Sequence, residues 1–206
     1  MIEKIVPDIV VSRLPRYLHI LNQMAKEGLH TVSSKVLAER YGSTAAQIRK
    51  DLSFFGEFGK QGHGYSIYFL MEQLQKILNL DRSWPVIVVG AGDLGRALTR
   101  YQGFSKQGIE IVMMFDINPK VVGTQVGPVL VRHVDYLAEE IQRHGIKIAI
   151  LTVPGEVAQT TAERLVAAGI EAILNYTPHT LVLPDPIRVQ YIDPVLHLQH
   201  MMYYLD

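Results

Sequence analysis

The sequence predicts an α/β protein with an N-terminal winged helix-turn-helix domain, a C-terminal Rossmann domain with an open parallel sheet, and a terminal helix. Two short helical segments and a glycine-rich hairpin pattern occupy the first 80 residues. A glycine motif then follows a buried strand, and strands alternate with helices almost to the C-terminus. The predicted domains cover residues 1–82 and 83–192, and the predicted terminal helix covers 193–206.

The composition favours a cytoplasmic protein. Of the 206 residues, 48% are hydrophobic, which is enough for one large core or two small ones. No run of about eighteen uncharged apolar residues occurs, so we expect no membrane span. The charges of Glu3, Lys4 and Asp8 argue against a secretory leader. The chain has no cysteine, which excludes disulfides and thiolate metal sites.

The charges are divided unevenly along the chain. Residues 1–80 carry ten Lys and Arg against seven Asp and Glu, and the remainder carries ten against thirteen. The excess of positive charge in the first segment is what contact with a polyanion requires.

The first segment predicts helices with recognisable ends. Residues 8–27 place apolar side chains at helical spacing, and Pro15 should divide this run. A second helix should begin after Ser33 or Ser34 as N-cap and end at Gly42.

The next helix is predicted within "STAAQIRKDLSFFG". Thr44 and Gln47 have the spacing of a capping box, and Gly56 is a suitable terminator. The pair of short helices is typical of a helix-turn-helix, although a small bundle with a solvated charged face fits equally well at this point. The side chains expected to contact DNA from this part are Ser33, Ser34, Thr44, Gln47, Arg49, Lys50, Ser53 and Phe54.

The segment "GEFGKQGHGYSIYFL" favours DNA binding over a plain bundle. Three glycines surround two basic residues, Lys60 and His63, before an apolar run. Such a pattern predicts a β-hairpin with basic side chains at its tip. A helix-turn-helix followed by a hairpin is the winged-helix arrangement, in which a helix enters the major groove and the wing contacts the backbone or the minor groove.

The segment "VIVVGAGDLG", residues 86–95, predicts a dinucleotide-binding turn. Gly90 permits the tight turn, Gly92 lets the backbone approach a pyrophosphate, and Gly95 lets helix and strand pack closely. The following helix, predicted to run from Asp93 through "DLGRALTRYQGF", offers free N–H groups to phosphates.

An acid ends the second strand, "IEIVMMFD". Asp116 follows Gly95 by 21 residues and can accept hydrogen bonds from a ribose diol while repelling a 2′-phosphate. This favours NAD(H) over NADP(H), although an acid that merely ends a strand and caps a turn remains an alternative. The residues expected to bind the cofactor are Gly90, Ala91, Gly92, Asp93, Leu94, Gly95, Tyr101, Asp116, Thr152, Val153, Pro154 and Asn175.

Later segments continue the alternation. Helices are predicted in "VDYLAEEIQRHG" and "EVAQTTAERLVAAG", and strands in "IKIAILTVP", "IEAILNYTP" and "IRVQYI". The ends of the first two of these strands, at Thr152 and Asn175, should border the crevice of the glycine loop. Tyr101, two turns into the first helix, could face the nucleotide or pack beneath the loop.

The last helix is apolar almost all round. Asp193 is a plausible N-cap and Pro194 suits the first turn of "VLHLQHMMYYL". Such a helix must be buried in its own subunit or in a partner, and we expect a dimer with exchanged terminal helices. His197 and His200 could hold a metal, but no Cys or Glu shares their face, so packing in the interface is preferred and no metal is expected.

The combination argues against an enzyme. A dehydrogenase needs a substrate domain and an acid–base residue beside the nicotinamide, and neither stands out in this chain. We therefore expect the nucleotide to be a sensed ligand. An oxidoreductase and a CoA-binding regulator are the alternatives, since CoA-binding domains share this sheet and glycine turn.

At this point the chain resembles the Rex family of redox-sensing transcriptional repressors. The stretches that carry the resemblance are "SRLPRYL", "STAAQIRKDLSFFG", "GKQGHGYS", "VGAGDLGRAL", "FDINP", "AILTVP", "GIEAILNYTP" and "YIDPVLHLQ". The resemblance implies a homodimer that binds inverted-repeat operators while NADH is low and leaves DNA when NADH binds, with NAD+ competing. It also implies that Tyr101, Thr152 to Pro154 and Asn175 line the nicotinamide side and that Asp193 lies near the subunit interface.

Two positions depart from the pattern that the resemblance implies. The family has Lys where this chain has Val121, next to Lys120, so a phosphate or ribose contact is in question. It also has Arg at the position of His19, facing the acid at Asp193 across the interface. A His–Asp contact, weaker or sensitive to pH, would change how sharply NADH switches the dimer.

We expect the switch to depend on the charge of the nicotinamide ring. A reduced ring is uncharged and enters an apolar crevice at less desolvation cost than the oxidised ring. Closure of the crevice would then change the spacing of two winged helices relative to successive major grooves.

Overall fold

A computed structural model of the protein describes residues 6–60 and 64–205. Of Lys60 it describes only the backbone. Contacts divide the chain into two compact units, Met1–Arg82 and Ser83–Asp206. Within the described ranges, no helix has both the length and the apolar character needed to cross a membrane.

The first unit combines helices with a small antiparallel sheet. Its described helices are α1 (Asp8–Val11), α2 (Leu14–Lys26), α3 (Ser34–Tyr41), α4 (Ala45–Leu52) and α5 (Ile67–Ile77). Its strands, β1 (Thr31–Val32), β2 (Gly59–Lys60) and β3 (Gly64–Ser66), lie in the order β1-β3-β2. The β2–β3 hairpin is the predicted wing, so the winged-helix prediction is confirmed.

The ends of these helices follow from their capping residues. Pro15 lies in the first turn of α2 and separates it from α1, as predicted. Ser33 accepts a hydrogen bond from the Val36 amide at 3.2 Å, and Gly42, with φ +83°, ends α3 in the left-handed region. Thr44 caps α4 through the Gln47 amide at 3.2 Å.

The helix α4 ends at Leu52, earlier than the predicted terminator Gly56. The amides of Phe54 and Phe55 bond to carbonyl oxygens three residues back, at 3.3 and 3.0 Å. The last turn therefore tightens, and the chain leaves the helix before it reaches Gly56.

The second unit is built on a seven-stranded sheet in the order β10-β9-β8-β4-β5-β7-β6. The strands are β4 (Trp84–Val89), β5 (Ile109–Asp116), β6 (Gln125–Val126), β7 (Val129–His133), β8 (Ile148–Leu151), β9 (Ala172–Asn175) and β10 (Arg188–Tyr191). All pairs are parallel except β6 with β7, a short hairpin that the sequence analysis did not predict. The remaining described α-helices are α6 (Asp93–Arg100), α7 (Leu137–His144), α8 (Gly155–Ala168) and α9 (Pro194–Met202).

Strand β4 is buried on both faces, which explains its continuous apolar sequence. Ile87 and Val89 pack into the core on the side of α7 and α8, whereas Val86 and Val88 pack into the core on the opposite side. A central strand of a parallel sheet covered on two sides has this pattern. The predicted Rossmann architecture is confirmed.

The helix α6 ends at Arg100, so the prediction that it continues through Tyr101 is wrong. Tyr101 has extended backbone, with φ −74° and ψ 106°, and is the C-cap rather than a residue two turns into the helix. Its ring stacks edge-on against Phe104, with centroids 5.4 Å apart. The intervening Gly103 lies against the Tyr101 ring, where a side chain would collide, so the chain turns here.

The helix α9 is capped as predicted but lies on the surface of the single chain. Asp193 accepts a hydrogen bond from the Val195 amide at 2.8 Å. None of the residues of α9 is buried, and Leu196 and Leu198 are 61% and 52% exposed.

Candidate nucleotide and DNA sites

The glycine loop lies where the strand order of the sheet reverses. Strand β4 has β5 on one side and β8 on the other, and the chain reaches β8 only after completing β5 and β7. The loops that leave β4 and β8 therefore flank one crevice. Open α/β sheets bind their ligands at such a position.

Two glycines of the loop are required by close packing within the chain. Gly90 has φ +106°, and a Cβ there would lie 2.5 Å from the carbonyl oxygen of Thr152. A Cβ at Gly95 would lie 2.0 Å from the carbonyl oxygen of Gly90. The Thr152 hydroxyl donates to that same carbonyl at 2.9 Å, which joins the loops after β4 and β8.

Gly92 is different, because nothing in the protein requires a glycine there. Its φ of −71° is open to any residue, and a Cβ would meet nothing within 4 Å. Gly92 is also the N-cap of α6 and supplies no side-chain cap. The open space and the uncapped N–H groups suit an approaching phosphate, so the loop fits a dinucleotide.

Asp116 anchors the glycine loop. Its Oδ2 accepts a hydrogen bond from the Ala91 amide at 2.6 Å, and its Oδ1 accepts one from the Asn118 amide at 2.7 Å. The turn-capping alternative is therefore part of its role. A carboxylate has about four acceptor positions, so two remain for ribose hydroxyls. The next peptide of the loop is held as well, because the Arg96 guanidinium donates to the Ala91 carbonyl oxygen at 2.9 Å.

A cavity of about 650 Å³ opens beside this loop. Among the residues expected to bind the cofactor, those lining it are Gly90, Gly92, Asp116, Thr152, Val153 and Pro154. Its other lining residues are Val89, Phe115, Ile117, Val134, Leu137, Val157, Thr160, Thr161 and Arg164. Sequence reasoning missed the four from α8, although a helix that begins at the crevice must present its first turns to it.

The other residues expected at the nucleotide lie elsewhere. Ala91 is buried beneath the loop, and Asp93 and Leu94 are exposed in the first turn of α6. Tyr101 is 63% exposed and lines a separate cavity of about 530 Å³ with Phe104 and Val112.

Asn175 is fully buried and shapes its own loop. Its amide donates to the His179 carbonyl oxygen at 2.9 Å, and its side-chain oxygen accepts from the Thr177 amide at 2.9 Å. These two bonds hold the loop after β9, and Asn175 does not line the cavity beside the glycine loop.

The residues expected to contact DNA fall into two groups. Ser33, Thr44 and Gln47 make structural contacts: the first two cap helices, and the Gln47 amide donates to Asp51 at 2.6 Å. Arg49 and Lys50 are exposed on α4, and the Arg49 guanidinium donates to the Ser34 hydroxyl at 3.0 Å.

The remaining members of this set lie near the end of α4 and in the wing. Ser53 is exposed and donates to the Lys50 carbonyl oxygen at 2.8 Å, while Phe54 is half-buried. The backbone of Lys60 lies in β2, and His63 lies outside the described residues.

Sequence reasoning missed a buried carboxylate that ties α4 to α2. Asp51 is completely buried and accepts two hydrogen bonds from the Arg13 guanidinium, at 2.6 and 2.7 Å. The Tyr17 hydroxyl donates to it at 2.6 Å, as does the Gln47 amide on the other oxygen. This set of four residues is called the Asp51 network below. No local spacing reveals it, because Arg13 and Asp51 are 38 positions apart.

The Asp51 network keeps the carboxylate ionised. Burial would raise the pKa of Asp51, but the hydrogen bonds from Arg13, Tyr17 and Gln47 outweigh burial and hold the pKa below its ordinary value of 3.8. Burial and the bond to Asp51 raise the pKa of the Tyr17 hydroxyl.

The two departures from the family pattern occupy ordinary environments. Val121 is half-buried and packs into the core that contains Val86, whereas Lys120 is exposed. His19 is exposed on α2, with its Nε2 3.0 Å from the Gln23 amide nitrogen. In the described part of the chain, no group of three His, Cys, Asp or Glu side chains is placed to hold a metal ion.

Two family models match the two units. A model described as a CoA binding domain matches residues 81–179, and one described as a putative DNA-binding protein N-terminus matches residues 5–53. Among solved structures, a chain described as RSP in complex with β-NAD+ and operator DNA is 42% identical, with a TM-score of 0.93 over 98% of this chain and 93% of that one. RSP in complex with β-NADH is 40% identical, with a TM-score of 0.90 over 98% and 95%.

Curated relatives agree over nearly the whole length. The redox-sensing transcriptional repressor Rex of Roseiflexus sp. strain RS-1 is 50% identical over 97% of this chain and 90% of its own. The protein of the same name from Chloroflexus aurantiacus is 49% identical over 97% and 94%. These relatives are named as repressors and not as enzymes. This chain therefore belongs to the Rex family of redox-sensing transcriptional repressors.

Proposed function

We propose that this chain acts in the cytoplasm as a homodimeric repressor that binds a palindromic operator when NADH is low and releases it when NADH binds. The observation that carries the proposal is the crevice at Gly92 and Asp116, in the same chain as a winged helix. At Gly92 a Cβ would meet nothing within 4 Å, which leaves room for a phosphate, and Asp116 has acceptors to spare for a ribose.

All the residues expected from the sequence to bind the cofactor are included in the proposed site. Gly90, Gly92 and Gly95, with Ala91, would shape the loop around a pyrophosphate, and Asp93 and Leu94 begin the helix that points at it. Asp116 would hold the adenosine ribose. Thr152, Val153 and Pro154 would border the nicotinamide half, with Tyr101 and Asn175 acting from positions outside this cavity.

The cavity is suited to distinguish the two redox forms by charge. An oxidised nicotinamide ring carries a positive charge, and a reduced ring does not. Val153, Pro154 and Val157 give the cavity an apolar wall, and Asp116 is the only acid among the described residues that line it. Because Asp116 is assigned to the adenosine ribose and not to the nicotinamide, this apolar wall offers a charged ring little compensation for lost water.

DNA recognition is proposed for α4 and the wing. Arg49 and Lys50 are the exposed cations of α4, Lys60 lies in β2 of the wing, and His63 lies outside the described residues. Ser34 begins α3, and Ser53 and Phe54 follow α4 directly, so these residues would border the DNA groove that α4 enters. Ser33, Thr44 and Gln47 would orient the helices, and their helix N-termini can also donate to phosphates.

A dimer is proposed because α9 exposes apolar side chains on all sides. Met201 and Met202 at the end of α9 are 59% and 61% exposed, and Tyr203 and Tyr204, which follow the helix, are 82% and 71% exposed. A helix with this surface is stable in water only when it is covered. A second copy of this chain would cover it symmetrically and would place two winged helices on an inverted repeat.

The direction of the switch is supported by two structures of one relative. One similar repressor was crystallised with NAD+ on operator DNA, and the same protein was crystallised with NADH. If NADH weakens operator binding in this chain, operator must weaken NADH binding by the same factor.

The test begins with selection of a binding sequence from duplexes that carry two inverted half-sites of randomised bases. Fluorescence anisotropy then measures affinity for the selected duplex with no ligand, NAD+, NADH, NADPH or CoA. We expect NADH to weaken binding at least tenfold and CoA to have no effect. Equal affinity with NADH and NAD+ would contradict the proposal, and a response to CoA alone would favour a CoA-sensing regulator.

A double variant separates the two sites. Arg49→Ala with Lys50→Ala should weaken operator binding and lower its dependence on salt, because phosphate contacts are lost. NADH affinity, measured by calorimetry, should not change. Normal operator binding by this variant would show that α4 is not the recognition helix.

A further inference from the structure

The nucleotide cavity has one cationic side chain that the proposed function does not use. Arg164 lies on α8 and is the only Lys or Arg among the described residues that line the cavity. Its Nη2 donates to the Val134 carbonyl oxygen at 3.2 Å, which joins α8 to the turn before α7. A guanidinium has five N–H donors, so this bond leaves most of them free for a ligand.

Different regions of the cavity suit different parts of a dinucleotide. The loop at Gly92 and the start of α6 suit the phosphates, and Asp116 suits the adjacent ribose. The cavity is also lined by Ile117, which follows Asp116 directly, by Val134 and Leu137, and by Arg164. Ile117 is 72% exposed, so most of its apolar surface is free to cover a flat base.

We propose that Arg164 stacks on the adenine ring and strengthens the binding of the dinucleotide. This inference rests on the proposed function, because it assigns one more residue to the same cavity. A guanidinium is planar and weakly hydrated, and it stacks on aromatic faces through a cation–π interaction. The bond to Val134 holds Arg164 against the apolar wall where the base fits.

A contact with a 2′-phosphate is the other use of an arginine here, and the geometry disfavours it. An arginine that offsets Asp116 for NADP(H) would pair with that carboxylate, but no ion pair within 4.0 Å joins these two described residues. Asp116 accepts from Ala91 and Asn118 instead. Its charge therefore still faces any 2′-phosphate.

The test compares Arg164→Gln with Arg164→Lys in the full-length protein. Gln keeps an amide donor for the Val134 carbonyl but removes the cation, whereas Lys keeps the cation and loses the planar group. Calorimetry with NADH, NADPH and ADP-ribose should show about tenfold weaker binding of NADH and ADP-ribose to the Gln variant. The Lys variant should lose less, and the ratio of NADH to NADPH affinity should not change.

Arg188→Gln, an exposed arginine on β10 away from the cavity, is the matched control and should bind like wild type. Wild-type affinity in both Arg164 variants would overturn the inference and leave the proposed function intact. A loss confined to NADPH would also overturn it and assign Arg164 to a 2′-phosphate. Absence of NADH and ADP-ribose binding by the wild-type protein would overturn the proposed function itself.

Discussion

Asp51→Ala should strongly destabilise the first unit, because it removes the acceptor at the centre of the Asp51 network. The carboxylate is completely buried and receives four hydrogen bonds, two of them from one guanidinium. After the substitution, the Arg13 charge has no partner, and its side chain is only 17% exposed.

The size of the effect follows from what the partners can recover. Charge-assisted hydrogen bonds contribute roughly 1.5–3 kcal/mol each. The contributions of the four bonds to Asp51 are not additive, because the bonds share one acceptor group, so their sum overestimates the loss of stability. Breaking a buried ion pair costs about 3–5 kcal/mol. Arg13 can be partly rehydrated through its exposed side, so we expect the lower value, about 3 kcal/mol. With a urea m-value of about 1–2 kcal/mol/M for a unit of this size, the midpoint should fall by roughly 2 M.

The assay uses urea unfolding followed by two signals. Far-UV circular dichroism reports the helices of both units, whereas fluorescence of Trp84, the single tryptophan, reports on β4 in the second unit. We expect the circular dichroism transition to acquire an early phase while the Trp84 transition keeps its midpoint.

Glu27→Ala provides a matched control within the same unit. Glu27 also forms a two-bond pair with an arginine, at 2.7 and 2.6 Å from Arg40, but the two side chains are 49% and 35% exposed. Solvent screens such a pair, so its removal should leave the midpoint within error. Equal midpoint shifts for the two variants would refute the argument that burial decides the cost.

The same reasoning sets the pH dependence. The folded pKa of Asp51 lies below its unfolded value, so its contribution to stability is complete above about pH 4 and is lost as the pH falls through the folded pKa. Wild type should therefore lose stability below about pH 4 more steeply than Asp51→Asn. Parallel pH profiles for the two proteins would contradict this assignment.

Three further predictions concern the second unit. Gly92→Ala should keep the melting temperature but weaken NADH binding about tenfold, because its methyl enters the open space proposed for the phosphates. Gly95→Ala should cost about 1–3 kcal/mol of stability, because its Cβ would lie 2.0 Å from a carbonyl oxygen. Melting curves and calorimetry check both variants, and equal melting temperatures would contradict the assignment. Asp116→Asn should weaken NADH binding and raise the ratio of NADPH to NADH affinity, since a negative charge beside the 2′-position is removed; an unchanged ratio would contradict the role of Asp116. Leu198→Asp, on a side chain that is 52% exposed in the single chain, should halve the mass measured by light scattering; a wild-type protein that is already monomeric would contradict the dimer.

Features encoded by neighbouring residues could be predicted from the sequence. The caps at Ser33 and Thr44 follow from side chains that reach an amide three residues away, and the glycine motif follows from backbone constraints inside one loop. The apolar run of β4 also predicted its burial, because a strand covered on both faces needs no alternation. These signals were enough for both folds.

Features that depend on distant residues could not be predicted. The β6–β7 hairpin was not predicted, because β6 has only two residues, too few for a periodic pattern. Arg164 is one of several charged residues on α8, and only the position of α8 beside the crevice distinguishes it. The sequence continues a helical pattern through Tyr101, but in the structure the backbone of Tyr101 is extended and its ring packs against Phe104, which the pattern does not reveal.

The Asp51 network also bears on DNA binding, since Asp51 lies on the helix proposed to read the operator. Arg49 and Lys50 precede it directly, and its carboxylate holds α4 against α2 through Arg13 and Tyr17. Asp51→Asn keeps the volume of the side chain but offers one acceptor oxygen in place of two, so α4 should lose its fixed orientation before the unit unfolds. At urea concentrations well below the unfolding midpoint, the operator affinity of Asp51→Asn should therefore fall by more than its unfolded fraction explains. If operator affinity falls only in proportion to the unfolded fraction, the network stabilises the unit without positioning the helix.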